Sequence, residues 1–427
     1  MFKRFRKEYS KVNTELFKIK MLNWANQFNI FCFLDNQNYQ STFNSYECML
    51  AVDVESSYEI SSDSLLNANT FFKNSNDWLF GHISYDIKNN FEKLKSTNPD
   101  FIEFPELFFF QPKVVFILHE NEVVIESLQN NCDDIFHYIS KFKKEESSIQ
   151  QTVKIKSTFT KEEYIAILEK LRKHIQKGEC YEINFCQHFF DDKAYINPLE
   201  VYQLLVLQSP NPFSCFYKWH DKYLLCASPE RFLKKVGNKI ISQPIKGTAK
   251  RSSNKFKDEQ LKNKLACSKK NIAENTMVVD LVRNDFSKIC YSNSVVVNEL
   301  CKVYSFPKVH HLISTISGEL KDEIQFMDIL KATFPMGSMT GAPKKRVMEL
   351  IDQYEKIKRG IFSGSVGYIN PKGDFDFNVV IRSIIYNRQK KYLQYLVGGG
   401  ITFQSNAEDE YEESLLKASA IRKVLNN

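Results

Sequence analysis

Acidic side chains recur in this sequence where helical packing would ordinarily call for apolar ones. In Ala273-Glu-Asn-Thr-Met-Val-Val-Asp-Leu-Val-Arg-Asn-Asp285, Met277, Val278 and Leu281 follow Glu274 by three, four and seven residues, so all four share one helical face. Glu274 is therefore expected to point inward, where a carboxylate is costly unless a cation or a metal meets it. An ion pair with a buried arginine would satisfy it equally well. Near the C-terminus Glu410, Glu413 and Lys417 stand at i, i+3 and i+7 on a second helical stripe. Alone this is a solvated, salt-bridged face; converging with the Glu274 helix it offers hard oxygen ligands suited to Mg²⁺. Leu396-Val-Gly-Gly-Gly400-Ile reads as a strand running into three glycines, whose backbone N–H groups can approach an anion unobstructed. Arg382 adds a guanidinium suited to a carboxylate, and Gly337-Ser-Met-Thr-Gly-Ala-Pro-Lys344 a Gly/Ser/Thr turn that opens a helix. Together these segments describe a pocket for a small polyanion beside a magnesium ion.

The elements that must hold such a pocket are legible in part. Thr160-Lys-Glu-Glu163 is a capping box, followed by Ile165, Leu168, Leu171 and Ile175 at helical spacing, with Gly178 as the stop. Cys180 to Phe190 alternates, with Tyr181, Ile183, Phe185 and Phe189 on one face, and reads as a strand. Trp78–Tyr85 and Lys113–Leu118 are apolar runs of strand character. Strands and helices without strict alternation point to an α+β architecture with antiparallel sheets. The polar run at 143–151 reads as a linker, dividing the chain into 1–150 and 151–427.

The 427 residues suit a large enzyme of two substructures, and 43% hydrophobic against 26% charged residues excludes a disordered or fibrous chain. A net charge of +7 is too dilute for a dedicated nucleic-acid binder, and the basic run from Lys246 to Lys270 reads mostly as a solvated face. No window is apolar enough to span a membrane, and no signal peptide is evident. The ten cysteines form no C-x-x-C pair, so a reducing cytoplasm is the simplest setting.

The order and wording of the motifs resembles the chorismate-utilising enzymes. The likeness rests on Pro244-Ile-Lys-Gly-Thr248, Ala273-Glu-Asn with Asp280-Leu-Val-Arg-Asn-Asp285, His311-Leu-Ile-Ser, Phe334 to Lys344, Gly364-Ser-Val-Gly-Tyr368, Ile381-Arg382, and Gly398-Gly-Gly-Ile with Glu410-Tyr-Glu-Glu413, and covers about 160–427. Leu79-Phe-Gly-His-Ile-Ser-Tyr-Asp86 looks like the family's more variable first domain. The resemblance implies a large α+β fold with two facing antiparallel sheets flanked by helices.

Lys246 places the likeness closest to the branch that converts chorismate to 4-amino-4-deoxychorismate for p-aminobenzoate and folate synthesis. The branch that makes anthranilate usually has alanine there, and isochorismate and salicylate synthases carry a water-activating lysine where this chain has Glu182, which argues against water as nucleophile. A tethered amine can add at C2 of chorismate while the C4 hydroxyl leaves, and ammonia then resolves the adduct at C4. Desolvation is expected to make the amine neutral more often than the ordinary lysine pKa of about 10.4 allows, in a closed and partly apolar pocket.

By the same resemblance Glu230 is the general acid/base, Glu274 and Glu413 ligate Mg²⁺ with Glu410 assisting, and His311, Thr340, Arg382, Gly398, Gly399, Gly400 and Lys417 surround the substrate. The alternative for Glu230 is an ion pair with Arg231. Phe362 stands where relatives often have tyrosine, and Asn211-Pro-Phe-Ser-Cys-Phe216 resembles the lining of a tryptophan pocket. No cysteine sits in a Gly-x-Cys-x-Gly turn, so a separate glutamine amidotransferase subunit is the expected ammonia source, with the chain a monomer or half of a heterodimer. The rivals are the anthranilate-forming component and a catalytically silent relative that serves as a binding partner.

Overall fold

A computed structural model of the chain describes residues 4–39, 46–60, 68–142 and 152–426. The expected linker at 143–151 lies outside the described residues. Every strand pairing between the named strands is antiparallel. One sheet runs outward from Ile30–Asp35 through Phe213–Trp219, Lys222–Ser228, Ser383–Asn387 and Tyr392–Thr402 to Glu182–Asp191. The other runs from Leu79–Ile83 through Ser365–Ile369, Phe375–Asn378, Arg231–Val236 and Lys239–Gln243 to Val309–Glu319, which also pairs with Ile245–Lys250 and Val296–Ser305.

Two long strands, Cys48–Ile60 and Leu107–His119, belong to both sheets. The half at Cys48–Val52 pairs with Ile30–Asp35 and the half at Leu107–Phe110 with Leu79–Ile83. The register slips between Val54 and Ser56, opposite Pro112, which has no N–H to give to the ladder, so the ribbon bends there and passes from one layer to the next.

Alternation along the strands decides which side chain meets which layer. Cys32, Met49, Ala51, Tyr217 and Leu224 share a buried cluster with Phe80, Phe108, Phe110, Phe232 and Phe377 of the second sheet. Their neighbours Phe31, Leu50, Phe216, Tyr223 and Leu225 pack the opposite face against helices Thr14–Ala25, Pro198–Gln208 and Ser419–Leu425. Helices Lys269–Ile289 and Phe326–Thr333 cover the second sheet with Val279, Phe286, Met327 and Leu330. The architecture is thus the expected α+β pair of facing antiparallel sheets with helices outside.

The capping box forms as expected: Glu163 N–H donates to Thr160 Oγ1 at 3.2 Å and Thr160 N–H to Glu163 Oε2 at 2.9 Å, opening helix Lys161–Gln176. That helix and Lys344–Tyr354 pack on Ile183, Phe185 and Ile401, fixing the sheet end that carries the site. The strand there, Glu182–Asp191, begins later than the run from Cys180 read in the sequence. Both its faces are buried, while Tyr181 lies outside the strand and is 69% exposed. A strand with helices on one side and a sheet on the other needs no polar alternation. Strands from the first part of the chain pair directly with strands from the second, as Ile30–Asp35 does with Phe213–Trp219. Among the described residues no helix is long and apolar enough to cross a membrane.

Candidate active site

A cavity of about 930 Å³ opens between the ends of both sheets and helices Lys269–Ile289 and Ala407–Lys417. Lys246, Glu230, Glu274, Arg382, Gly398, Gly400, Glu410, Glu413 and Lys417 all line it, although the sequence spreads them over more than 180 positions. Ile245, Met339, Phe362, Ile381, Leu396 and Val397 supply apolar wall, so the pocket is partly apolar as expected. Thr340, His311 and Gly399 are not part of the lining. The Thr340 hydroxyl donates to Met336 O at 3.0 Å, and His311 Nδ1 meets Thr248 Oγ1 at 3.0 Å while its Nε2 is buried without a hydrogen-bond partner.

Local structure sets each carboxylate. Ser268 caps helix Lys269–Ile289, and Asn275 ties its first turns to strand Val309–Glu319 by donating to Leu312 O at 3.3 Å and accepting from Ser314. Glu274, one residue before, is consequently turned inward and buried, and its Oε1 accepts no hydrogen bond. The arginine partner considered for it is not there; Lys270 Nζ at 3.9 Å is its nearest cation. Asn406 caps helix Ala407–Lys417 by accepting from Glu408 and Asp409 N–H. Lys417 then donates to Gly398 O at 2.9 Å and pairs with Glu413 at 2.9 Å, locking this helix to the glycine-bearing strand.

The two helices do converge. Lys270 Nζ lies 2.7 Å from Glu410, 3.8 Å from Glu413 and 3.9 Å from Glu274, so three carboxylates from two helices face one positive charge. Among the described residues no three acidic, histidine or cysteine side chains are already drawn together as a metal cage. The donor set nevertheless suits Mg²⁺ in kind: hard oxygens, few in number, one of them buried and unpartnered.

Glu230 is 3% exposed and does not pair with Arg231, whose guanidinium makes two hydrogen bonds to Asp376. Burial pushes Glu230 up to about 7, against the pull of the Ser338 hydroxyl and the Lys246 and Arg382 cations. Burial likewise pushes Glu274 up to about 7, with Lys246 opposing. Glu413, beside Lys417 at the exposed rim, is held below the usual carboxylate range.

Lys246 corrects the sequence expectation. Burial alone would favour the neutral amine, but Glu182 Oε1 accepts from Nζ at 2.5 Å and Glu274 adds its charge, so the ammonium is held above the ordinary lysine value. The glycines also act differently from the anion cradle envisaged. They pair with Glu182–Asp191, Gly398 opposite Cys186 and Gly400 opposite Asn184, and what they provide is room. A Cβ on Gly398 would lie 1.9 Å from Phe185 O; one on Gly400 would lie 2.3 Å from Glu182 Oε1 and 3.0 Å from Lys246 Nζ. Glu182 is the member of this constellation to which sequence reasoning gave no positive role. Its signal was a carboxylate between Tyr181 and Ile183, at the start of a strand whose side chains are nearly all buried. Pro212, Phe213 and Ser214, from the segment likened to a tryptophan pocket, line a separate cavity of about 70 Å³ with Arg231 and Asn378.

The fold and this cavity belong to a known class: the family model for chorismate binding enzyme matches residues 26–423, and the chain belongs to that family. It is 35% identical over 350 residues to aminodeoxychorismate synthase component 1 of Salmonella typhimurium, spanning 81% of this chain and 76% of the relative. It is 31% identical over 368 residues to anthranilate synthase component 1 of Aquifex aeolicus, spanning 81% and 74%. The crystal structure of anthranilate synthase component I from Streptococcus pneumoniae superposes with a TM-score of 0.78 at 25% identity, over 89% of this chain and 93% of that one.

Proposed function

We propose that this chain aminates chorismate at C4, taking ammonia and giving 4-amino-4-deoxychorismate for p-aminobenzoate and folate synthesis. The observation that carries the reading is a lysine amine, Lys246, inside a cavity it shares with the buried acid Glu230. The similarity to relatives named for aminodeoxychorismate synthase supports it. In this mechanism the Lys246 amine bonds to C2 as the two conjugated ring double bonds shift and the C4–O bond breaks, and Glu230 delivers the proton with which the hydroxyl departs as water. Ammonia then bonds to C4, the two double bonds shift back, and the C2–N bond to Lys246 breaks. An acid raised to about 7 is still substantially protonated at neutral pH, which suits that donor role. The guanidinium of Arg382 has no ion-pair partner among the described residues, and with Lys417 it faces the substrate carboxylates. Glu274, Glu410 and Glu413 would hold Mg²⁺. When bound, the ion neutralises the ring carboxylate and draws electron density from C2.

Every residue of the cavity lining lies between 184 and 421, consistent with 151–427 as the chorismate-binding catalytic unit and 1–150 as a variable N-terminal subdomain. A partner amidotransferase supplies ammonia from glutamine, and the reaction is placed in the cytoplasm. The test is to incubate the pure chain with chorismate, Mg²⁺ and ammonium and identify the product. 4-Amino-4-deoxychorismate supports the reading, and anthranilate would transfer the chain to the rival branch. Lys246→Ala should still bind chorismate but lose amination at C4; a wild-type rate would make the lysine structural.

A further inference from the structure

The nucleophile proposed above carries a proton it must lose. An ammonium has no lone pair, and among the described residues Lys246 Nζ has one hydrogen-bond acceptor, Glu182 Oε1 at 2.5 Å. Glu230 cannot serve, because its own proton is needed at the departing hydroxyl. Glu182 is 1% exposed, and its second oxygen is buried with no hydrogen-bond donor among the described residues. The contact that favours the ammonium at rest is also the path along which its proton can leave, because the Glu182 carboxylate is the group that touches Nζ. Its placement is built rather than incidental. The backbone pairs Glu182 with Thr402 on one side and Ala342 on the other, and the missing side chain of Gly400 leaves the space in which carboxylate and amine meet.

We propose that Glu182 is the base that takes the Lys246 proton and holds the freed amine in line, an inference that rests on reading Lys246 as the nucleophile. In the first half-reaction a proton moves from Nζ to the Glu182 carboxylate, and the lone pair so released forms the C2–N bond. The C4–O bond breaks with the proton from Glu230, releasing water. In the second half-reaction the C2–N bond breaks as ammonia attacks C4. The departing amine recovers a proton from Glu182, and Glu230 accepts one of the protons carried in by ammonia. Both carboxyl groups return to their starting state, so no outside acid, base or oxidant is required.

Glu182→Gln keeps the shape and a hydrogen-bond acceptor but cannot take a proton. With ammonium as co-substrate, kcat should fall on the order of 100-fold, the usual scale of a lost general base. KM for chorismate and the half-saturating Mg²⁺ concentration should stay within about threefold. Without ammonia, intact-mass measurement should show the chorismate adduct on the chain forming more slowly by the same factor. A kcat within about threefold of wild type, or a rise in KM alone, would overturn the proposal. If circular dichroism shows Glu182→Gln unfolded, Glu182→Asp decides. It keeps the charge with a shorter reach, so kcat should fall about tenfold at unchanged KM, and an undiminished kcat would overturn the proposal. Lys246→Ala separates the two levels: full activity there would sink the nucleophile itself, whereas an inactive Lys246→Ala beside an active Glu182→Gln would sink only the role of Glu182.

Discussion

Three adjacent glycines should respond to the same substitution in three different ways. In Gly400→Ala the new methyl lies 2.3 Å from Glu182 Oε1, more than about 1 Å inside an ordinary contact, and 3.0 Å from Lys246 Nζ. The obstructing atoms are ends of side chains, so the backbone can stay where it is and the ion pair must move by about 1 Å. Misplacing a reacting group by that distance costs about 100-fold in rate, or about 2.7 kcal/mol of barrier. Fold stability should hardly change, since alanine removes about 0.4–1 kcal/mol of unfolded-state entropy that offsets the local crowding. In Gly398→Ala the methyl would lie 1.9 Å from the backbone oxygen of Phe185, which cannot swing aside, so the strand pairing opens and stability falls by about 1–3 kcal/mol or more. In Gly399→Ala the nearest atoms are Glu410 Oε2 at 3.2 Å and Lys417 Nζ at 3.5 Å, and kcat should stay within about threefold. Steady-state amination with ammonium, read beside thermal melts followed by circular dichroism, distinguishes the three. A Gly400→Ala enzyme turning over within about threefold of wild type, with an unchanged melt, would refute the claim that this glycine makes room for the Lys246–Glu182 pair.

Four further outcomes are expected. As pH rises through about 7 the buried Glu230 loses its proton, so kcat should decline on that limb, and Glu230→Gln should be slow throughout with the limb removed. Because its folded value is raised from 4.5, Glu230 favours folding most at low pH and loses that contribution as pH climbs from about 4.5 to about 7, so chemical denaturation of Glu230→Gln should depend less on pH in that window; an equal dependence would count against it. Glu274→Gln and Glu413→Gln each replace a charged oxygen ligand by an amide, and each should raise the half-saturating Mg²⁺ concentration by about tenfold or more; unchanged titrations for both would place the ion elsewhere. Rigorously purified chain should use ammonium but not glutamine, and should gain glutamine-dependent activity when an amidotransferase subunit is added. Glutamine-driven turnover by the chain alone would overturn the need for that partner.

Sequence alone determined what is local or carried by short motifs. The Thr160–Glu163 box, the inward face of Glu274 and the Glu410–Glu413–Lys417 stripe follow from spacing on a helix, and the structure realises each of them. The motifs around Lys246 and Arg382 likewise carried the family. Tertiary structure alone decided which of these groups meet. Glu182 and Lys246 are 64 positions apart, and Lys270 and Glu410 140 apart, and no periodicity reports a contact between separate elements. The state of the lysine was decided the same way: burial and a facing carboxylate push its pKa in opposite directions, and their balance depends on a distance that exists only once the strands have paired. The glycines read as an anion cradle because the absence of a side chain is visible in sequence. What that absence leaves room for is visible only when the neighbouring strand and its carboxylate are in place.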